Sequence, residues 1–228
     1  MSVPLNPMVS WYLFCLGLGV GLALLVMTGY LSLSPPWLRW LLLISGMLAA
    51  SRYVVMALFA VSPDPQELWG LRACWFGTSI GLTLPGMVAL DQLVRHPAMT
   101  PKKLLKWYAP FLAAYLVAIL FGPYELTADP LAGQSPRLVG WGRGLLAATH
   151  SVFVAGFVWL AAMVCRKLPV PRIRLALGLL MAAYAYLGVD GVLRSAGGWY
   201  VRPYLYSEFL AMGALWFALD TARRQALA

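Results

Sequence analysis

Seven long apolar stretches, separated by short polar connections, make up most of this chain. Prolines, charged residues or glycines bound each stretch, and a helix of about 20 residues is long enough to cross the hydrocarbon core of a bilayer. The predicted helices are 10–31, 37–61, 69–93, 105–122, 140–165, 175–194 and 203–221. The pattern predicts an all-α fold in which residues 1–228 form a single domain, a seven-transmembrane-helix bundle.

Lysines and arginines are concentrated in alternate connections. They are Arg95, Lys102, Lys103 and Lys106 after the third stretch, Arg166, Lys167, Arg172 and Arg174 after the fifth, and Arg223 and Arg224 after the seventh. The connections between them hold most of the loop acids, which are Asp64, Glu67, Glu125 and Asp129. Because basic residues accumulate in short cytoplasmic loops, the N-terminus is predicted to lie outside and the C-terminus inside.

The composition excludes a water-soluble fold. Hydrophobic residues make up 61% of the chain and charged residues 11%, whereas soluble domains carry about 25% charged residues. The net charge of +9 reflects the basic loops and does not indicate nucleic acid binding. The predicted partner is therefore the lipid bilayer.

No metal site or cofactor is predicted. The cysteines Cys15, Cys74 and Cys165 lie in or beside different helices without a CxxC spacing, and HExxH is absent. All four lysines lie in loops, which excludes a retinal Schiff base. The two histidines are His150, in the fifth helix, and His96, in a loop, so they do not form a pair of axial haem ligands.

Two further patterns bear on the packing of the bundle. The outward connection 123–139, PYELTADPLAGQSPRLV, is polar and rich in turn residues, and is predicted to be a long loop that could serve as a lid or a partner contact. Glycines spaced four apart permit close approach of helices in lipid. These pairs are Gly17 and Gly21, Gly77 and Gly81, and Gly140 and Gly144.

Ionisable residues within the apolar stretches are the candidates for function, because each costs about 2.5–3.5 kcal/mol on insertion scales. Helical spacing places further polar side chains on the same faces as these groups. The predicted ligand-binding set is Arg52, His150, Tyr186, Asp190, Tyr204 and Glu208, in an outward-opening pocket. The structural alternative pairs Asp190 with Arg194 and Arg52 with Glu208, as contacts that fix the helix register.

Three functions are compatible with these residues. The first is a sensor or receptor-like protein that binds a small or lipidic ligand in this outward pocket and signals by a shift in helix packing. The second is an intramembrane enzyme acting on a lipid or isoprenoid, with Asp190, Glu208 and His150 as catalytic groups. The third is a transporter or a subunit of a membrane complex. The sequence favours the first over an enzyme.

The third helix carries a resemblance that supports a sensor. Residues 67–96, ELWGLRACWFGTSIGLTLPGMVALDQLVRH, open with an acid, an aromatic residue and an arginine, and include Pro85 late in the helix. With seven spans and an outward N-terminus, this resembles the seven-helix N-terminal sensor region of bacterial histidine kinases. The resemblance implies a location in the bacterial cytoplasmic membrane. Because the chain ends at Ala228 without a kinase, it also implies a separate cytoplasmic partner.

Overall fold

Helices dominate the fold. The computed structural model describes residues 7–95, 99–129, 133–195 and 205–227. The helices are α1 (Pro7–Tyr30), α2 (Pro36–Val61), α3 (Gly77–Gly81), α4 (Thr83–Val94), α5 (Pro101–Phe121), α6 (Gly140–Cys165), α7 (Pro171–Ser195) and α8 (Tyr206–Leu227). A 3₁₀ segment, Pro65–Phe76, precedes α3, and strands β1 (Tyr124–Asp129) and β2 (Gly133–Leu138) lie between α5 and α6. Helical structure is therefore present at each of the seven predicted positions.

Six segments of the described chain are long and apolar enough to cross a membrane. They are Pro7–Tyr30, Pro36–Val61, Pro65–Val94, Pro101–Phe121, Gly140–Cys165 and Pro171–Leu193. The remaining long helix, α8, has 22 residues and contains four charged side chains. It packs against α1, α4 and α7, so neighbouring helices cover much of its surface. The chain thus has the helix lengths and composition of a multi-pass membrane protein.

The helices form a closed arrangement around the segment Pro65–Val94, here called the third span. Sequential helices pack together, and α1 contacts both α2 and α8. The third span contacts α2 through α3 and α8 through α4. We call the end of the bundle that carries the two strands the hairpin end, and the end at which α8 finishes, near Arg223 and Arg224, the basic end.

The third span is not the regular helix that was predicted over 69–93. It begins with a 12-residue 3₁₀ segment, continues as the short helix α3, and turns at Leu82 before α4. Asp64 caps the 3₁₀ segment by accepting a hydrogen bond from the backbone N–H of Gln66 at 2.9 Å. Runs of 3₁₀ helix longer than three or four residues are uncommon, and such stretches often mark a hinge.

The connection 123–139, which was predicted to be a long loop, contains a β-hairpin. β1 and β2 pair in antiparallel register from Tyr124 opposite Leu138 to Asp129 opposite Gly133. The pairing satisfies backbone groups that apolar packing alone would leave without partners. β2 also packs against α2 and the 3₁₀ segment. The hairpin therefore covers one end of the bundle.

Only one of the three glycine pairs makes the predicted close helix contact within this chain. A Cβ added to Gly81 would lie 2.7 Å from both the Ala49 Cβ and the Ser45 carbonyl oxygen, and Gly77 lies against the backbone of Leu48. By contrast, open space surrounds Gly17, Gly21 and Gly144, and Gly140 adopts a φ of +52° at the start of α6. The α2–α3 contact is thus the tightest of the three predicted approaches.

Candidate functional site

A buried ion pair joins α2 to α8 in the half of the bundle nearer the hairpin end. The Arg52 guanidinium donates from Nε to Glu208 Oε2 at 3.2 Å and from Nη2 to Oε1 at 2.9 Å. The two side chains are only 8% and 5% exposed. The Tyr53 hydroxyl donates to Glu208 Oε2 at 2.8 Å. Glu208 is therefore held by two side chains of α2 in the two-pronged geometry that guanidinium and carboxylate favour.

The same arginine also binds the third span. Its Nη1 donates to the carbonyl oxygen of Trp75, close to the point where the 3₁₀ segment gives way to α3. Irregular backbone at membrane depth is tolerated where protein groups satisfy it, and Arg52 supplies such a donor here. One guanidinium thus connects α2, α8 and the irregular part of the third span.

Helical periodicity explains why these groups are buried. On α2 the buried face includes Leu42, Ala49, Arg52 and Met56, which follow the spacing of three to four residues expected of one helix face. On α8 the buried positions Glu208, Met212, Leu215 and Leu219 follow the same rule. Arg52 and Glu208 replace apolar residues on two faces that pack inside the bundle, so each needs the other.

The other predicted polar residues have partners on neighbouring helices. Asp190 of α7 accepts a hydrogen bond from the Ser207 hydroxyl of α8 at 2.6 Å. His150 of α6 lies with Nδ1 3.2 Å from the Tyr115 hydroxyl of α5. Ser207 directly precedes Glu208, so the contacts of α7 and α2 with α8 are adjacent. Asp190 and His150 thus make further interhelical contacts. Arg52 and Glu208 make the pair named by the structural alternative.

Not every predicted residue belongs to this group of contacts. Tyr186 is 38% exposed on α7, so it lies at the surface of the bundle and not beside the buried ion pair. Tyr204 lies outside the described residues, as does the Arg194 side chain that was the predicted partner of Asp190. Within the described ranges, no group of three or more His, Cys, Asp or Glu side chains is arranged to hold a metal ion.

The site is closed around Arg52 and Glu208. Two cavities of the described residues lie away from this pair, one of them in the core beside Tyr30, Gly46 and Leu82 and the other between α1 and α8 at the basic end. Each carboxylate has its own partner, Arg52 for Glu208 and Ser207 for Asp190. This arrangement joins α8 to α2 and to α7 through two separate polar contacts.

The hairpin covers this end of the bundle through an aromatic contact. The Arg72 guanidinium lies 5.2 Å from the ring centroid of Trp69 and 5.5 Å from that of Tyr124. Tyr124 also packs edge-on against Trp69 and Phe76. Burial raises the pKa of the Tyr124 hydroxyl to about 12, and the Arg72 charge opposes that rise. Cation–π contacts of this kind attach β1 to the 3₁₀ segment.

Four contributors to the site were not predicted from the sequence: Tyr53, the Trp75 carbonyl, Ser207 and Tyr115. Tyr53 and Ser207 are adjacent to Arg52 and Glu208, and Tyr115 lies on the buried face of α5. The three side chains carry hydroxyl groups within predicted helices, which is the signal that could have found them. No feature of the sequence points to the Trp75 carbonyl, because its availability as an acceptor depends on the irregular backbone of the third span.

No protein-family model, curated protein or solved structure matches this chain. The likeness of residues 67–96 to the sensor region of histidine kinases therefore stays a prediction.

Proposed function

We propose that this chain is a seven-span, sensor or receptor-like protein that binds a small or lipidic ligand at the hairpin end and acts on a separate partner at the basic end. The observation that carries the proposal is the buried Arg52–Glu208 ion pair, which joins three elements of the bundle at one point. In the proposal α8 transmits the change, because it runs from Glu208 to Arg223 and Arg224. The hairpin end faces outward.

The ion pair supports a switch because its two partners can separate into distinct arrangements. A ligand shifts a conformational equilibrium only if it binds one state better than the other. In the closed arrangement Glu208 occupies two donor positions of Arg52. An anionic head group can replace it, because the guanidinium fork binds carboxylates and phosphates in the same way. The 3₁₀ segment beside Arg52 supplies irregular backbone at which the third span can move.

The enzyme alternative receives less support from these contacts. It needs Asp190 and Glu208 to face one substrate, with one of them positioned to exchange a proton. Glu208 is instead enclosed by Arg52 and Tyr53, and Asp190 contacts Ser207. The receptor proposal requires only the Arg52–Glu208 contact to open when the ligand binds, whereas the enzyme would require both contacts to be dismantled before any substrate could reach the two acids.

Two natural cysteines test the proposed orientation. Cys74 lies in the 3₁₀ segment near the hairpin end, and Cys165 lies at the end of α6 near the basic end. Both are partly exposed, whereas Cys15 is buried. We expect a membrane-impermeant maleimide to label Cys74 in intact cells, and to label Cys165 only after the membrane is permeabilised. Single-cysteine variants provide the two readouts, and labelling of Cys165 alone in intact cells would reverse the orientation.

The rate of Cys74 labelling also reports ligand binding, because Cys74 is next to the Trp75 carbonyl that Arg52 holds. In a Cys15→Ser, Cys165→Ser background, oleate is expected to accelerate labelling of the purified protein by releasing Glu208 from Arg52. Methyl oleate lacks the negative charge and is the matched control. Equal rates with oleate and methyl oleate, or an undiminished response in Arg52→Gln, would count against binding of an anionic ligand at this site.

A further inference from the structure

A second polar site lies at the basic end, in a cavity between α1 and α8. Its volume is about 100 Å³, and it is lined by Thr28, Gly29, Ser32, Trp216, Leu219, Asp220 and Arg223. One buried water needs a cavity of only about 10–15 Å³, so this one has room for a larger polar group. Two of the lining residues, Gly29 and Leu219, are in close contact, since a Cβ added to Gly29 would lie 3.2 Å from the leucine side chain.

The charges around the cavity leave one arginine available. Asp220 is paired with Arg224 at 2.8 Å and with Arg172 at 3.4 Å, so two cations offset its negative charge. Within the described residues, Arg223 makes no hydrogen bond or ion pair, although it lines the cavity. The site therefore combines a neutralised carboxylate with an uncommitted guanidinium, which favours an anionic ligand.

The residues around Arg223 combine hydrogen-bond donors with exposed apolar side chains, as expected of a site at a membrane surface. The Ser32 hydroxyl, just after α1, donates to the Gly29 carbonyl oxygen at 3.1 Å and can rotate toward a ligand. Trp216 is 40% exposed, and its indole N–H is a donor of the kind often found at the membrane interface. Leu25 on α1 and Leu31, just after that helix, are 43% and 56% exposed. Polar donors thus adjoin apolar surface that acyl chains can cover.

We propose that this cavity binds the phosphate of an anionic phospholipid from the leaflet at the basic end, with Arg223 as its principal ligand. The guanidinium offers two parallel N–H donors to phosphate oxygens, and basic pockets between transmembrane helices are typical sites for such head groups. A lipid is favoured over free phosphate because its acyl chains also cover the neighbouring apolar surface. The site is at the opposite end from Arg52 and does not depend on the proposed receptor function.

The test compares two arginines at the same end of the bundle. Arg223 lines the cavity, whereas Arg174 is exposed on α7 and does not. Each variant, Arg223→Gln or Arg174→Gln, removes one positive charge. The protein is placed in nanodiscs of phosphatidylcholine containing graded fractions of phosphatidylglycerol, and bound lipid is counted by native mass spectrometry. Arg223→Gln is expected to weaken phosphatidylglycerol binding roughly tenfold more than Arg174→Gln does.

A second variant keeps the test independent of Arg223. Thr28→Leu fills the cavity from a partly lipid-exposed helix position, and it is expected to reduce phosphatidylglycerol binding without removing a charge. Circular dichroism checks the fold of each variant. If Arg223→Gln and Arg174→Gln lost phosphatidylglycerol binding equally and Thr28→Leu lost none, the binding would reflect only general attraction between basic residues and the anionic surface. That result would overturn the proposed site. A thermal-unfolding comparison separates lipid from free phosphate. If inorganic phosphate stabilised the protein in phosphatidylcholine discs as much as phosphatidylglycerol does, the lipid would not be the ligand.

Discussion

Glu208→Leu is expected to lower the free energy of unfolding by about 3–5 kcal/mol, because it leaves the Arg52 guanidinium buried without its counter-ion. Arg52→Met is expected to cost less. A carboxylate left alone can take up a proton and become neutral, whereas an arginine side chain in a protein does not lose its proton. The residual contacts of Arg52 with the Trp75 carbonyl do not compensate a full charge. The two single variants should therefore be unequal, with Glu208→Leu the less stable.

The double variant Arg52→Met, Glu208→Leu is expected to recover most of this loss, since apolar residues of similar volume replace buried ion pairs at little cost. A remainder of roughly 1–2 kcal/mol reflects the Trp75 carbonyl and Tyr53 hydroxyl, which lose their partner. Unfolding by SDS in mixed micelles measures all four proteins. Asp220→Asn is the control. It removes the contacts of Asp220 with Arg224 and Arg172, which lie at the surface, and an ion pair at the surface is worth at most about 1 kcal/mol. Strictly additive losses in the double variant would contradict a coupled pair.

Much of the architecture is visible in the sequence because bilayer length and apolarity constrain each helix separately. The bounds 140–165 were predicted to the residue, and α2 begins one residue before its predicted start. The hairpin was not predicted because its two strands lack a clear alternation of apolar and polar residues. These strands are Tyr124–Asp129 and Gly133–Leu138. The 3₁₀ segment was not predicted because the apolar residues of the stretch 69–93 do not distinguish 3₁₀ from α-helical backbone.

The site was predicted only in part, for a related reason. An ionisable residue within an apolar stretch can be recognised from its residue type alone. Arg52, Asp190, His150 and Glu208 could therefore be predicted from the sequence. The rotation of each helix about its axis decides which of them meet, and one sequence does not fix that rotation. Tyr186 illustrates the limit: it lies one turn from Asp190 along α7, yet it is exposed at the bundle surface.

Gly77→Ala is expected to destabilise the protein by about 1–3 kcal/mol, the range for overpacking at a tight contact. A Cβ at this position would be 2.8 Å from the Leu48 carbonyl carbon and would overlap its oxygen. Backbone, unlike the end of a flexible side chain, cannot turn aside, so α3 must move away from α2. That displacement would also carry Trp75 away from Arg52. Both thermal unfolding and the rate of Cys74 labelling should register the change.

Gly156→Ala is the matched control, because Gly156 lies in α6 with no heavy atom within 4 Å of an added Cβ. Alanine in place of a helical glycine reduces the entropy of the unfolded chain, so this variant should be neutral or gain roughly 0.5–1 kcal/mol. Its Cys74 labelling rate should match that of the parent protein. If Gly77→Ala behaved like Gly156→Ala in both measurements, the third span would not depend on close packing against α2, and Arg52 could not hold Trp75 by that contact.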